Sequence, residues 1–329
     1  MIGMIYLNNS ALETILPDHL GNALLNGRFL NYRKSTPPKL KDILRWQLSS
    51  NPERARNKHS SYHPALIEDQ RIFDKSLDKI VWLGHASFLL TLNGKNILVD
   101  PVFKHVPLVK RRVKIPFQIN DYTEIDYVLI THAHFDHLDR RTLIKLAKLN
   151  PQMQIYCGLQ TAATLQKWKI NNRIIEAGWF QKFPDNQDGL EFYFLPAQHW
   201  SNRSLKDRNR RLWGSFIVQS SQITLYLMGD SAYSEHFKAI SQLFSSIDYA
   251  ILGVGAYTPQ YIMQTSHLNP AEAQQAFYDL AAQKLIPMHY GTFILADEPV
   301  AEPITKTREL FAKNPEQLCE LSIGELLVL

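Results

Sequence analysis

His132-Ala133-His134-Phe135-Asp136-His137 is the stretch whose reading decides the fold, because three imidazoles and a carboxylate crowd into six positions. The run before it, Asp126-Tyr-Val-Leu-Ile-Thr131, is apolar and β-branched and reads as a buried strand. The run after it, from Leu138 to Leu149, has the apolar spacing of an amphipathic helix. The ligand-type side chains therefore emerge where a strand stops and a helix begins. Alternate residues of an extended loop point the same way, so His132 and His134 are placed to grip one ion. Asp136 and His137, at the helix start, turn toward a second. Imidazole and carboxylate without thiolate suit zinc and tolerate iron or manganese.

Composition bounds the rest. The 329-residue chain is 45% hydrophobic and 20% charged, an ordinary globular balance. No stretch approaches the roughly 18 apolar residues that span a bilayer. The first ten residues lack the basic-then-apolar pattern of a secretory signal. Cys157 and Cys319 form no metal-type pair and read as reduced thiols. These signals predict a cytoplasmic address, with peripheral contact at the inner face of a membrane equally compatible. Thirty-six basic against 31 acidic side chains give a net charge of +5, and the pI is near 9.0. The excess is clustered. Lys104, Lys110, Arg111, Arg112 and Lys114 alternate with Val106, Leu108, Val109 and Val113, while Arg203, Lys206, Arg208, Arg210 and Arg211 form a second run. The loop from Lys104 to Phe117 predicts a patch that meets an anionic lipid surface through Lys110, Arg111, Arg112 and Lys114, on the rim of the metal-bearing edge.

Residues 1–77 contain Pro37-Pro38 and a polar stretch at 49–58, and read as an N-terminal extension packed on a core. Within them Leu40 to Leu48 predicts one short helix. Residues 78–329 read as a single domain. Strands are expected at 80–83, 87–92 and 95–100, the last two joined through Asn93-Gly94 in a two-residue hairpin turn. The second half repeats this grammar. A strand at 190–195 runs on to His199, a hairpin of 214–219 and 222–228 ends at Asp230, and a buried strand covers 249–254. A helix from Pro270 to Gln283 has Asn269 as N-cap and Glu272 at the capping-box position. A strand at 285–288 then delivers His289. Every candidate ligand follows a strand, which two sheets with outer helices and one shared strand-end edge satisfy.

His-x-His-x-Asp-His at 132–137, then His199, Asp230 and His289, resemble in this order the metallo-β-lactamase superfamily. The resemblance implies an α/β fold, a four-layer αββα sandwich, here with an N-terminal extension. It also implies two Zn2+ ions: His132, His134 and His199 hold the first, Asp136, His137 and His289 the second, and Asp230 bridges both. Asp100, in Val99-Asp100-Pro101, corresponds to a buttress rather than a ligand. Within that superfamily the chain is similar to the N-acyl-phosphatidylethanolamine-hydrolysing phospholipase D family and its bacterial relatives. The similarity is carried by Trp82-Leu-Gly-His-Ala-Ser87, Gln198-His-Trp-Ser-Asn-Arg203, Leu212-Trp-Gly-Ser215, Gly253-Val-Gly-Ala-Tyr257, His267-Leu-Asn-Pro270 and His289-Tyr-Gly-Thr-Phe293. Phe135 departs from the tyrosine expected in the animal enzymes.

That family implies cleavage of a phospholipid or small phosphodiester by metal-activated water, with Asp230, Asp136 and His267 as catalytic residues. His267, Arg203 and Tyr257 are then the expected substrate contacts, and His85 the expected structural histidine. A homodimer and contact with an anionic membrane are implied as partners, and nucleic acid is not. Two other readings compete. The same metals polarise a carbonyl, so a lactone or ester hydrolase shares the signature. A non-catalytic metal-binding scaffold is the weaker alternative, because no ligand position is lost.

Overall fold

A computed structural model describes residues 4–34 and 38–329. The first three residues of the N-terminal stretch, and Pro37 of the proline pair, lie outside the described residues. Two seven-stranded sheets form the body. In spatial order the first runs Arg173–Ala177, Gln154–Gly158, Tyr127–Ile130, Lys95–Val99, Ser87–Leu92, Lys79–Gly84 and Leu326–Val328. The second runs Ala282–Met288, Ile247–Gly253, Thr224–Leu227, Ser215–Gln219, Glu191–Leu195, Gln181–Lys182 and Glu13–Thr14.

Alternation along the strands explains the layers. Ile80, Trp82, Phe88, Leu90, Ile97, Val99 and Leu129 join the core shared with Phe192, Phe194 and Phe216 of the second sheet. Their neighbours Val81, Leu83, Leu89, Leu98, Val128 and Ile130 face a separate core. That core is closed by Leu143 and Leu146 of the helix Arg140–Leu149 and by Leu165 of the helix Ala162–Lys167. Because both faces are covered, these strands read as continuous apolar runs. Phe237, Ala273, Phe277 and Ile304, from the helices His236–Leu243, Pro270–Asp279 and Glu302–Leu310, join the core of the second sheet. The result is the αββα sandwich.

Asn93 and Gly94 both take positive φ, 50° and 71°, as the hairpin turn requires. The helix expected from Pro270 to Gln283 stops at Asp279. Ala281 takes φ +52° and the chain turns straight into a strand, a left-handed position that no glycine announces. Pro287 lies within Ala282–Met288, at the edge of its sheet, where the missing N–H breaks no ladder.

The extension contains the helix Leu40–Leu48, a second helix Pro52–His59, and a small sheet of Ile5–Leu7, Asn22–Leu25 and Arg28–Phe29. Glu13–Thr14 adds an edge to the second large sheet beside Gln181–Lys182. Asp297, eight residues past His289, accepts hydrogen bonds from Trp46 Nε1, Asn51 Nδ2 and Arg54 Nε, and so ties the extension to the site's flank.

The basic loop corrects the sequence reading. Arg111 is only 6% exposed, and its guanidinium donates to the carbonyls of Leu83, Val102 and Val113. Arg112 donates to the carbonyls of Asn57, Ser60 and Tyr62. Both side chains staple backbone and neither is offered to a lipid surface. The exposed cations here are Lys104, Lys110 and Lys114, with Leu108 fully exposed among them. Among the described residues no helix is long and apolar enough to cross a membrane.

Candidate metal centre

Strand ends bring the ligand-type residues together. His132 follows Tyr127–Ile130, Asp230 follows Thr224–Leu227, and His289 directly follows Ala282–Met288. Gly229 takes φ +64°, and a Cβ on it would lie 2.7 Å from the Cβ of Thr131, so glycine lets the loops of the two sheets touch. Among the described residues, four overlapping groups have ligand-type atoms within 4.8 Å of one another. Asp100 with His132 and His137, and His267 with Asp230 and His289, make the two groups of three. The two with four members are His132, His134, His199 and Asp230, then His85, Asp136, His137 and His289. In the first, His134 Nδ1 lies 2.9 Å from His132 Nε2 and 3.1 Å from His199 Nε2. Asp230 Oδ2 is 3.7 Å from each of those Nε2 atoms and 3.2 Å from His137 Nε2. Its Oδ1 lies 3.1 Å from His289 Nε2. Asp136 Oδ2 is 3.7 Å from His137 Nε2 and from His289 Nε2. Asp230 thus faces both groups.

The far sides of the His132, His137 and His199 rings are fixed. His137 Nδ1 donates to Asp100 Oδ2 at 2.7 Å, and Asp100 Oδ1 accepts from the Thr131 N–H at 2.8 Å. His199 Nδ1 donates to the Ser266 carbonyl at 2.9 Å, and Thr131 Oγ1 lies 3.0 Å from His132 Nδ1. Such contacts set the tautomer and aim the other ring nitrogen inward. Asp100, with its oxygens so committed, is placed behind the cluster rather than in it. The Nε2 atoms of His137 and His289 are buried and make no well-aligned hydrogen bond, although Asp230 oxygens lie 3.2 and 3.1 Å away. A buried polar atom in that state calls for an ion or ordered water.

Electrostatics divides the two groups. Burial, reinforced by neighbouring imidazoles, holds His132 and His199 well below the ordinary imidazole range, and burial holds His134 down at about 4. Burial also opposes a charge on His137 and His289, but the carboxylates of Asp230 and Asp136 outweigh it. His137 is lifted well above its ordinary value and His289 to about 9. Protons on these two rings balance two buried carboxylates. A divalent cation among neutral imidazole and carboxylate donors supplies the same counter-charge, so the residues present fit one.

His267 Nδ1 stands 3.8 Å from Asp230 Oδ2, and its side chain is partly exposed. It lines a cavity of about 580 Å³ together with Tyr257, Gln260, Asn269 and Glu302, and the Tyr257 hydroxyl donates to Glu302 at 2.6 Å. A second cavity, about 550 Å³, opens beside His199 and Trp200 and carries Arg33, Lys34 and Arg208. Arg203, expected to contact substrate, is committed to the loop itself. Its Nη1 donates to the carbonyl of Leu138 at 2.6 Å, and its guanidinium lies 4.0 Å from the ring centroid of Phe135. It braces the 133–138 turn. His85, expected to be a structural histidine, is instead brought to the second group, buried with Nε2 2.9 Å from Asp136 Oδ2. Its only signal was a histidine in a Gly-His-Ala turn after a strand.

A sandwich with a His- and Asp-lined centre across its strand ends defines a metal-dependent hydrolase of the metallo-β-lactamase type. Residues 95–290 match the family model described as a beta-lactamase superfamily domain. The chain is 32% identical over 247 residues to N-acyl-phosphatidylethanolamine-hydrolyzing phospholipase D 1 of Caenorhabditis elegans, covering 70% of this chain and 68% of that protein. It is 31% identical over 219 residues to a metal-dependent hydrolase of Saccharolobus solfataricus, covering 65% of this chain and 85% of that one. In fold it is similar to a metallo hydrolase from Ignicoccus hospitalis, with a TM-score of 0.58 and 20% identity over 77% of this chain and 98% of that one. The chain belongs to the metallo-β-lactamase superfamily.

Proposed function

We propose that the chain is a two-cation phosphodiesterase of the phospholipase D type. It cleaves N-acyl-phosphatidylethanolamine-like phospholipids to phosphatidate and an N-acylethanolamine-like alcohol. The observation that carries this reading is Asp230, whose carboxylate lies between the two His-rich groups. On this reading His132, His134 and His199 hold one zinc, Asp136, His137 and His289 the other, and Asp230 both. Two divalent cations held there supply Lewis acidity that polarises a phosphoryl oxygen and brings the pKa of water down to ~7.

The chain's own residues do the rest. Burial holds His267 down at about 4, so at neutral pH it is an uncharged ring. One N–H remains to donate to a phosphate oxygen at the inner end of the Tyr257 cavity. Arg33, Lys34 and Arg208, across the Gln264–His267 segment, line a cavity suited to the anionic arm of the diester. Lys104, Lys110, Lys114 and the exposed Leu108 provide a basic face with an apolar tip for an anionic bilayer. The relatives named as phospholipases D support the same substrate class.

The test is turnover by purified protein on bis(p-nitrophenyl) phosphate and on vesicles carrying N-acyl-phosphatidylethanolamine, beside a lactone panel. Release of phosphatidate from the vesicles is the expected result. Lactone hydrolysis without diester cleavage would overturn the reading in favour of a carboxylic-ester hydrolase.

A further inference from the structure

His85 stands in the second group but was assigned no work by the sequence, and it is held from several directions. Gly84 and His85 both take positive φ, +96° and +57°, so the turn projects the imidazole off the end of Lys79–Gly84. The His85 N–H donates to Thr292 Oγ1 at 2.8 Å. Its carbonyl accepts from Trp82 Nε1 at 2.9 Å and from the His289 N–H at 3.2 Å. Arg111, buried, donates to the carbonyl of Leu83 just before the turn. Its Nη2 lies 2.6 Å from where a Cβ on Gly84 would sit, so position 84 has no room for a side chain. The ring itself is pinned at a centroid distance of 4.0 Å from His289 and 5.0 Å from Phe293.

All this restraint ends in one polar contact, Nε2 to Asp136 Oδ2 at 2.9 Å. The other nitrogen, Nδ1, is buried without a partner, which places the single ring proton on Nε2. Asp136 comes from the opposite side, in the turn 135–137. The helix expected to begin at Leu138 starts only at Arg140, with Asp139 as its N-cap, so Asp136 lies before the helix and not at its start. In its own loop His137 Nε2 stands 3.7 Å from Oδ2, beyond hydrogen-bond reach, and His289 Nε2 from the other sheet is equally far.

We propose that His85 is the positioning residue for Asp136. By donating to Oδ2 it sets the carboxylate's rotation, so that Asp136 meets His137 and His289 around the second cation. Arg111 and Thr292 hold the turn that makes this contact. A carboxylate free to swing away from a buried imidazole leaves the second group short of a donor, while the first group, which has no contact with His85, is unaffected. The inference rests on the two-cation reading above.

The experiment is titration of metal-stripped protein with Zn2+ by calorimetry and chelator competition, with near-ultraviolet circular dichroism to verify the fold. The parent is expected to bind two equivalents. His85→Leu is expected to keep the first and to bind the second roughly 10- to 100-fold more weakly, the effect usual for loss of such a partner. His85→Gln, whose amide reaches the Nε2 position as a donor, is expected to restore most of the affinity. Leucine tolerates a positive φ poorly, so Thr292→Val against Thr292→Ser gives a second pair, with the weaker second site expected in the valine variant alone. A folded His85→Leu protein that binds both equivalents like the parent would overturn the proposal. So would a His85→Gln protein as weak as His85→Leu, because His85 would then be a ligand in its own right. A parent that binds one equivalent only would remove the two-cation reading and the proposal with it.

Discussion

The two halves of the metal centre are built from the same fold edge but from different charge. His132, His134 and His199 face a single shared carboxylate, and burial keeps all three imidazoles neutral. Asp136, His137 and His289 have that carboxylate plus one of their own, and a third, Asp100, stands behind His137. There the carboxylates prevail over burial and lift His137 well above its ordinary value and His289 to about 9. On the two-cation reading, one half would accept a cation as it stands and the other would exchange protons for it. Asp230 is the element the two halves share, which makes it the position where they lose function together.

That comparison breaks most sharply at Asp230. Asp230→Asn is expected to lower turnover on a soluble diester by on the order of 10³-fold, several kcal/mol in barrier, and to weaken both cations. His199→Ala should weaken the first cation alone and His289→Ala the second alone, as metal analysis of the folded variants will show. Near-parental turnover by metal-loaded Asp230→Asn would contradict its shared role. Next in size is His267→Ala. It is expected to cost on the order of 10²-fold in turnover, as for loss of one donor to a developing charge, with both cations retained. Loss of a cation from that variant would make His267 part of one half rather than a neighbour of both.

A gentler probe is pH. His289 has a folded pKa raised to about 9 by the carboxylates. Its proton must leave before a cation binds, so affinity at the second half should rise with pH up to about 9, by about tenfold per unit for each proton displaced. The first half, whose imidazoles are already neutral above about 4, should show no such slope across the same window. Calorimetry in buffers of different ionisation enthalpy counts the protons directly. Equal proton release at both halves would erase the distinction. The smallest effect on chemistry belongs outside the centre. Lys110→Glu combined with Leu108→Asp should weaken binding to anionic vesicles several-fold, each surface charge being worth about 1 kcal/mol. Soluble-diester turnover should stay unchanged, and equal vesicle binding by variant and parent would reduce this loop to solvated surface.

Much of the centre was legible because its chemistry is contiguous. A strand pattern followed by His-x-His-x-Asp-His places four donors without tertiary information, and His199, Asp230 and His289 each follow an apolar run that announces its own end. The contact of His85 was not legible, because its partner Asp136 sits in a turn 51 residues away, and a lone histidine in a turn carries no spacing. Arg111 and Arg112 misled for a related reason. Sequence records how many charges a loop has, whereas a guanidinium with several donors satisfies backbone carbonyls as readily as it meets solvent. Two sheet edges, Glu13–Thr14 and Leu326–Val328, are too short to show a period of two. Arg203 lay inside a recognised motif, yet its stacking on Phe135 and its bond to Leu138 turn it toward the metal loop.

The claim on which the account depends is that one chain holds two cations around Asp230. Elemental analysis of protein purified without chelator, read alongside its turnover on bis(p-nitrophenyl) phosphate as cation is removed and restored, tests it most directly. Turnover is expected to track loading up to two equivalents per chain. Full turnover at one equivalent, unchanged by a second, would contradict it.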